Sequence, residues 1–123
     1  MSLKVGRIGK KDIEQLFKKG RYITTPHLTL KFLNNLNFNE KSKISFITPK
    51  TVSKKAVERN ILRRRGYAIL KNNLIKIPDN FIGVIIFGKK SCPLFGGRKT
   101  KKNNPFVNLS EEIKNLFEKY YKI

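Results

Sequence analysis

Apolar residues near the start of the chain recur at helical spacing. In residues 10–19 they follow the i, i+3, i+4 pattern of a short amphipathic helix, whose apolar stripe consists of Ile13, Leu16 and Phe17. Gly20 follows directly, and glycine commonly ends helices. On spacing alone, Phe17 is expected to be a core residue beneath a sheet.

Strict alternation replaces this spacing further along the chain. LTLKF, residues 28–32, points Leu and Phe one way and Thr29 and Lys31 the other, which predicts a strand with one buried and one polar face. ISFIT, residues 44–48, predicts a second strand. FIGVIIF, residues 81–87, is almost continuously apolar, as expected for a strand covered on both faces. Residues 21–25 are a weaker candidate for another short strand.

Two further helices are predicted from cap residues and apolar periodicity. One is expected to follow an N-cap at Ser53 and to run to about Leu74. The other is expected at residues 109–121, capped by Asn108 or Ser110. It follows a basic loop rich in Gly, Pro and Asn at residues 91–108.

The element order α-β-β-(β)-α-β-α places a helix between two strands, which is typical of a crossover unit. We therefore expect an α+β fold with a single mixed sheet packed with helices. Neither an internal repeat nor a linker divides the sequence, so residues 1–123 are expected to form a single domain.

Charge changes the picture more than any other property of the composition. The chain has 28 Lys and Arg against 8 Asp and Glu, a net charge of +20 over 123 residues. Such a charge opposes compaction and favours a polyanionic partner, with nucleic acid first and an anionic membrane surface second. With Cys92 as the only cysteine, no intramolecular disulfide and no Cys-based metal cluster can form. The N-terminus does not resemble a secretory signal, so a soluble cytoplasmic protein is expected.

The helix predicted after Ser53 concentrates this charge on one side. On a helical wheel, basic and polar residues fall within about 140°: Arg59, Asn60, Arg63, Arg64, Tyr67 and Lys71. Val57, Ile61, Leu62, Ala68 and Ile69 fall opposite, whereas Leu70 falls among the basic residues. A solvated face would normally mix Glu with Lys at i, i+4. Guanidinium groups suit phosphate, so we favour binding of a nucleic-acid backbone.

The sequence offers poor equipment for catalysis by the protein itself. His27 is the only histidine, and beside Pro26 it is expected to be surface-exposed rather than catalytic. Asp12 and Glu14 lack the partners of a two-metal site. Residues 83–89 match G-x-x-x-x-G-K, but they are strand-like and Lys90 replaces the Ser or Thr, so an NTPase is rejected. No catalytic or metal-binding residue is predicted.

KKAVERN followed by x-x-R-R strongly resembles the signature helix of the bacterial ribonuclease P protein subunit, K-A-x-x-R-N-R-x-K-R-x-x-R-E. The matching residues are Lys55, Ala56, Arg59, Asn60, Arg63 and Arg64, with Arg63 in place of the family's Lys. DIEQLFKKG, residues 12–20, is similar to the family's D-F-x-x-V-F-K-x-G. Ile61, Tyr67 and Ala68 depart from the signature, and the loop at residues 91–108 is longer than usual.

This resemblance implies a protein subunit that binds ribonuclease P RNA and precursor tRNA and promotes removal of the 5′ leader. Cleavage is then expected in the RNA subunit, with Mg²⁺ bound mainly by that RNA. The implied RNA-binding residues are Lys50, Lys54, Lys55, Arg59, Asn60, Arg63 and Arg64, and the implied leader cleft contains Phe17, Thr29 and Lys31.

The resemblance also implies a fold related to domains of a ribosomal protein and of elongation factor G, with a left-handed β-α-β crossover. The alternative function is that of a basic structural protein of ribosomal type. A DNA-binding helix is less favoured, because a strand rather than a helix is predicted before it.

Overall fold

The computed structural model describes residues 10–34, 43–71, 81–88 and 104–122. The elements in these ranges are α1 (Lys10–Lys19), β1 (Arg21–Thr24), β2 (Leu28–Asn34), β3 (Lys43–Ile47), α2 (Ala56–Lys71), β4 (Phe81–Phe87) and α3 (Pro105–Tyr121). The weakest strand candidate, β1, is therefore confirmed. The predicted end of the long helix at Leu74 and most of the predicted basic loop lie outside the described residues.

The four strands form one sheet in the order β1-β2-β4-β3. β2 pairs antiparallel with both β1 and β4, whereas β3 and β4 are parallel and are joined through α2. This arrangement confirms the predicted α+β class with a single mixed sheet. β4 lies inside the sheet, and six of its seven residues are buried, as its continuous apolar sequence predicted. Residues 83–87 are part of this strand and do not form a phosphate-binding loop.

Helices cover the two faces of the sheet unequally. One face carries the main core, where Leu30, Phe46 and Phe81 pack with apolar residues of α2 and α3. On the other face, Leu16 of α1 packs with Ile82 and Val84 of β4. Thr29 and Lys31 alternate with the buried residues of β2, so they point to the α1 face.

α2 begins later than its sequence predicted, and Ser53 is not its N-cap. The first helical hydrogen bond runs from the Arg59 N–H to the Lys55 carbonyl, at 3.2 Å, so the helix starts at Ala56. The Ser53 hydroxyl oxygen accepts from the Lys55 N–H at 3.2 Å, and the hydroxyl donates to Glu58 at 2.5 Å. Ser53 thus fixes the turn that leads into α2.

α3 begins earlier than predicted, so residues 105–108 belong to the helix and not to the loop. Its N-cap is Asn104, whose side chain accepts from the Val107 N–H at 3.3 Å, and not Asn108 or Ser110. Pro105 occupies the first turn, where its missing N–H and fixed φ suit a helix. In the sequence, Pro105 indicates a loop. The first turn of a helix, however, is a position where proline is common.

The buried side of α2 is rotated from the side that its apolar residues predicted. Leu62, Gly66, Ile69 and Leu70 are buried, whereas Val57 is 70% exposed. Gly66 explains the difference, because the Phe46 ring packs directly on the helix at that position. A count of apolar side chains does not include glycine, so this docking point was not predicted.

Candidate nucleic-acid interface

An open cavity with a volume of about 440 Å³ lies along α2. We call its wall the concave surface, and it is lined by Asn60, Arg63, Arg64 and Tyr67. These residues are close to multiples of one helical turn apart, so they share one side of the helix. Asn60 and Arg64 are exposed, and Arg63 and Tyr67 are half-buried. The Arg63 guanidinium donates a hydrogen bond to the Asn60 side-chain carbonyl. This bond leaves the Asn60 amide hydrogens and the remaining guanidinium donors for a ligand.

Tyr67 forms a fixed wall of this surface. Its ring meets the Phe46 ring edge to face, with centroids 5.0 Å apart and an interplanar angle of 81°. Its hydroxyl accepts from the Phe46 N–H at 3.3 Å. Because β3 is at the edge of the sheet, this N–H is turned away from β4, and Tyr67 satisfies it. The wheel placed Tyr67 within the basic arc, yet its role as a wall was not predicted.

The predicted RNA-binding residues divide into two groups. Arg59 does not line the concave surface, because its Nη1 donates to the Ser53 carbonyl at 2.9 Å and points back to the N-terminal turn of α2. Lys50, Lys54 and Lys55 are exposed in that same turn region. Cations therefore extend from the concave surface to the segment before the helix.

A second candidate surface lies where α1 covers the polar face of β2. Phe17 is 50% exposed, so the expectation from its spacing that it is a core residue is wrong. The Lys31 Nζ lies 4.3 Å from the centroid of the Phe17 ring, a cation–π contact. Thr29 is half-buried on the same face. The structure thus brings the three predicted cleft residues to one face and leaves an aromatic ring and an ammonium accessible.

His27 is not the surface residue that the sequence predicted. Its Nδ1 lies 2.8 Å from Glu112 Oε1, its backbone N–H donates to Glu112 Oε2 at 2.9 Å, and its side chain is 27% exposed. The Thr25 hydroxyl donates to the same Oε2 at 2.8 Å. Glu112 therefore fastens the turn between β1 and β2 to α3. The 85 residues that separate His27 from Glu112 in the chain kept this pair from being predicted.

Neither a candidate metal-binding group nor a candidate membrane-spanning helix occurs in the part of the chain that the structure describes. No group of three or more His, Cys, Asp or Glu side chains there could hold a metal ion. No helix there is both long enough and apolar enough to cross a bilayer.

Comparison with known proteins gives consistent matches. A family model described as "Ribonuclease P" matches residues 8–121. The fold is similar to that of the ribonuclease P protein from Thermotoga maritima, at a TM-score of 0.74 and 24% identity, over 92% of this chain and 96% of that one. It is also similar to the Staphylococcus aureus ribonuclease P protein, at a TM-score of 0.73 and 16% identity, over 95% and 96% of the two chains. Comparison with curated protein sequences gives no significant match.

Proposed function

This chain belongs to the ribonuclease P protein family, and from that premise we propose that the concave surface of α2 binds RNA backbone while the α1 face of β2 binds the leader of precursor tRNA. Membership in the family makes the chain a protein subunit of ribonuclease P that serves 5′ processing of tRNA, with ribonuclease P RNA as its partner. The observation that supports RNA binding at the concave surface is that two arginines and an asparagine line it.

Phosphate is the ligand that this lining suits best. Guanidinium groups present donors in a planar fork that matches phosphate oxygens, and they stay charged at any physiological pH. The hydrogen bond between Arg63 and Asn60 holds the two side chains in a defined relation before RNA arrives. Less side-chain entropy is then lost on binding, which favours affinity. Arg59, Lys50, Lys54 and Lys55 would continue the contact along the backbone beyond the concave surface.

The leader would lie on the α1 face of β2 as an unpaired strand. Phe17 offers a ring on which a base can stack, a contact that tolerates any base. Lys31 attracts the neighbouring phosphate, and Thr29 provides a hydroxyl beside it. These three side chains combine stacking with positive charge, which is the usual composition of a site for single-stranded nucleic acid.

Cleavage is assigned to the RNA partner in this proposal. In the described ranges no group of three or more His, Cys, Asp or Glu side chains could hold a metal ion, and we derive no step through protein-bound metal. Mg²⁺ would be bound mainly by ribonuclease P RNA.

We further propose a cytoplasmic site of action. We also propose a left-handed β3-α2-β4 crossover, in a fold related to domains of a ribosomal protein and of elongation factor G. The hand of the crossover in an experimental structure tests the last point.

Reconstitution with a bacterial ribonuclease P RNA at low Mg²⁺ tests the proposed contribution of the protein. Adding the protein should increase the rate of leader removal from precursor tRNA. If it has no effect on that rate but binds ribosomal RNA tightly, the alternative of a structural protein of ribosomal type is correct.

The salt dependence of binding tests the concave surface itself. Arg63→Ala combined with Arg64→Ala should reduce the slope of log K against log salt by about 0.7–0.9 for each phosphate that the protein no longer neutralises. Lys114→Ala with Lys122→Ala removes the same charge from exposed positions at α3 and serves as the matched control. Equal changes in slope for both double variants would show that net charge, and not the concave surface, governs binding.

A further inference from the structure

The pairing of β1 with β2 places a second exposed aromatic residue beside Lys31. The partner of Lys31 across the two strands is Tyr22. Thr25 N–H donates to the Leu28 carbonyl at 2.9 Å, which sets the phase of the antiparallel ladder. Counting back from that bond, Tyr22 and Lys31 form a non-hydrogen-bonded pair, the kind in which opposite side chains stand closest. Their Cβ atoms are therefore about 4.5–5.5 Å apart on the same face of the sheet.

Tyr22 is exposed on this face rather than packed into the core. It is 69% exposed, whereas Ile23 turns to the opposite face and packs against the main core. β1 is the edge strand, so Tyr22 lies on the outer side of Lys31. α1 packs over β2 and β4, so Phe17 reaches Lys31 from the other side. Lys31 consequently has an accessible aromatic residue on each side, and we call Phe17, Lys31 and Tyr22 the aromatic–cation row.

This order of groups matches the chemistry of an unpaired nucleotide chain. Bases stack on aromatic rings, and the phosphate that links two bases is attracted by an ammonium between the rings. A solvated tyrosine on an edge strand is the simpler interpretation, but it does not account for the position of Tyr22 directly across the strands from a lysine whose ammonium already contacts an exposed ring. β1 is also held in place from behind, because the Lys119 ammonium donates to the Thr24 carbonyl at 2.9 Å. The aromatic–cation row therefore lies at an edge of the sheet that a hydrogen bond from α3 holds in position.

We propose that Tyr22 is a second stacking residue for the 5′ leader, so that the leader cleft extends across β1 and holds two bases with a phosphate at Lys31. This inference rests on the proposed function of the α1 face of β2 as the leader cleft. Tyr22 then adds affinity only for precursors whose leader reaches the edge of the sheet.

The test uses holoenzyme reconstituted with ribonuclease P RNA and two precursor tRNAs, one with a long leader and one with a single leader nucleotide. Tyr22→Ala should weaken binding of the long-leader precursor about fivefold or more, the effect of removing one base–aromatic stack. Binding of the short-leader precursor should stay unchanged. Tyr22→Phe retains the ring and should bind the long-leader precursor as wild type does.

Tyr121→Ala is the matched control, because Tyr121 is 50% exposed on α3, which packs on the opposite face of the sheet. It should not change either affinity, and urea unfolding of each variant checks that the domain keeps its stability. A Tyr22→Ala loss that is absent, equal for the two leaders or matched by Tyr121→Ala overturns the inference. If Phe17→Ala and Lys31→Ala also leave binding of the long leader unchanged, then the proposed leader cleft fails as well.

Discussion

Gly66→Ala probes the contact that orients α2 and therefore its RNA-binding residues. A Cβ added at Gly66 would lie 2.7 Å from Cε1 and Cζ of Phe46 and 2.8 Å from Cδ1. The Phe46 ring is only 4% exposed. It is flanked by the rings of Tyr67 and Phe87, with centroids 5.0 Å and 5.9 Å away. The ring therefore has no open space into which it can swing.

Two opposing effects determine the result of this substitution. Overpacking a well-filled core costs about 1–3 kcal/mol. Replacing glycine with alanine inside a helix stabilises the helix by about 1 kcal/mol. Since three ring atoms would be displaced, we expect overpacking to dominate, with a net loss of about 1 kcal/mol in the free energy of unfolding.

The sign of the effect should reverse when the ring is removed. Valine ends at Cγ and lacks all three atoms that would clash, so in a Phe46→Val background the same Gly66→Ala change should stabilise the protein by up to about 1 kcal/mol. Urea unfolding of the four proteins, followed by far-UV circular dichroism, measures both values as a double-mutant cycle. If Gly66→Ala stabilises the protein equally in both backgrounds, close packing at Phe46 does not fix the position of α2.

Substitutions at three other positions test particular hydrogen bonds by urea unfolding. Glu112→Ala removes the carboxylate that accepts from the β1–β2 turn and should cost about 2 kcal/mol; a change within error of zero would mean that water replaces it fully. Asn104→Ala should cost about 1 kcal/mol and Asn104→Asp much less, because aspartate keeps the capping oxygen; equal losses would contradict this role. Tyr67→Phe should cost about 0.5–1.5 kcal/mol, since the Phe46 N–H loses its acceptor; an unchanged midpoint would show that this bond contributes nothing.

Local patterns in the sequence were sufficient for most of the fold. α1 and β4 begin and end at the predicted residues, since the spacing of apolar residues and the flanking glycine and turn residues act within a few positions. The helix starts were predicted less well. Ser53 and Asn108 are good capping residues by type, but the caps that form depend on which backbone N–H groups lie within reach. Residue type alone does not contain that geometry.

In the candidate sites, too, some features follow from local sequence and others depend on three-dimensional geometry. The basic arc of α2 placed Asn60, Arg63 and Arg64 together because helical periodicity is a property of the sequence, and in the structure these three residues line the concave surface. Arg59 belongs to the same arc, yet the nearby backbone carbonyl of Ser53 draws its side chain away. Helical periodicity in the sequence grouped these residues on one arc but did not predict the direction of each side chain.

By itself, the sequence determined the element order, the excess of positive charge and the family. The charge follows from composition, and the other two follow from patterns among residues close together in the chain. Only the tertiary structure decided which side of α2 meets the sheet, that Glu112 holds the β1–β2 turn, and that Tyr22 stands beside Lys31. Each of these depends on strand register or on packing between segments distant in sequence. Such contacts form only when the whole chain closes around its core, so no local pattern specifies them.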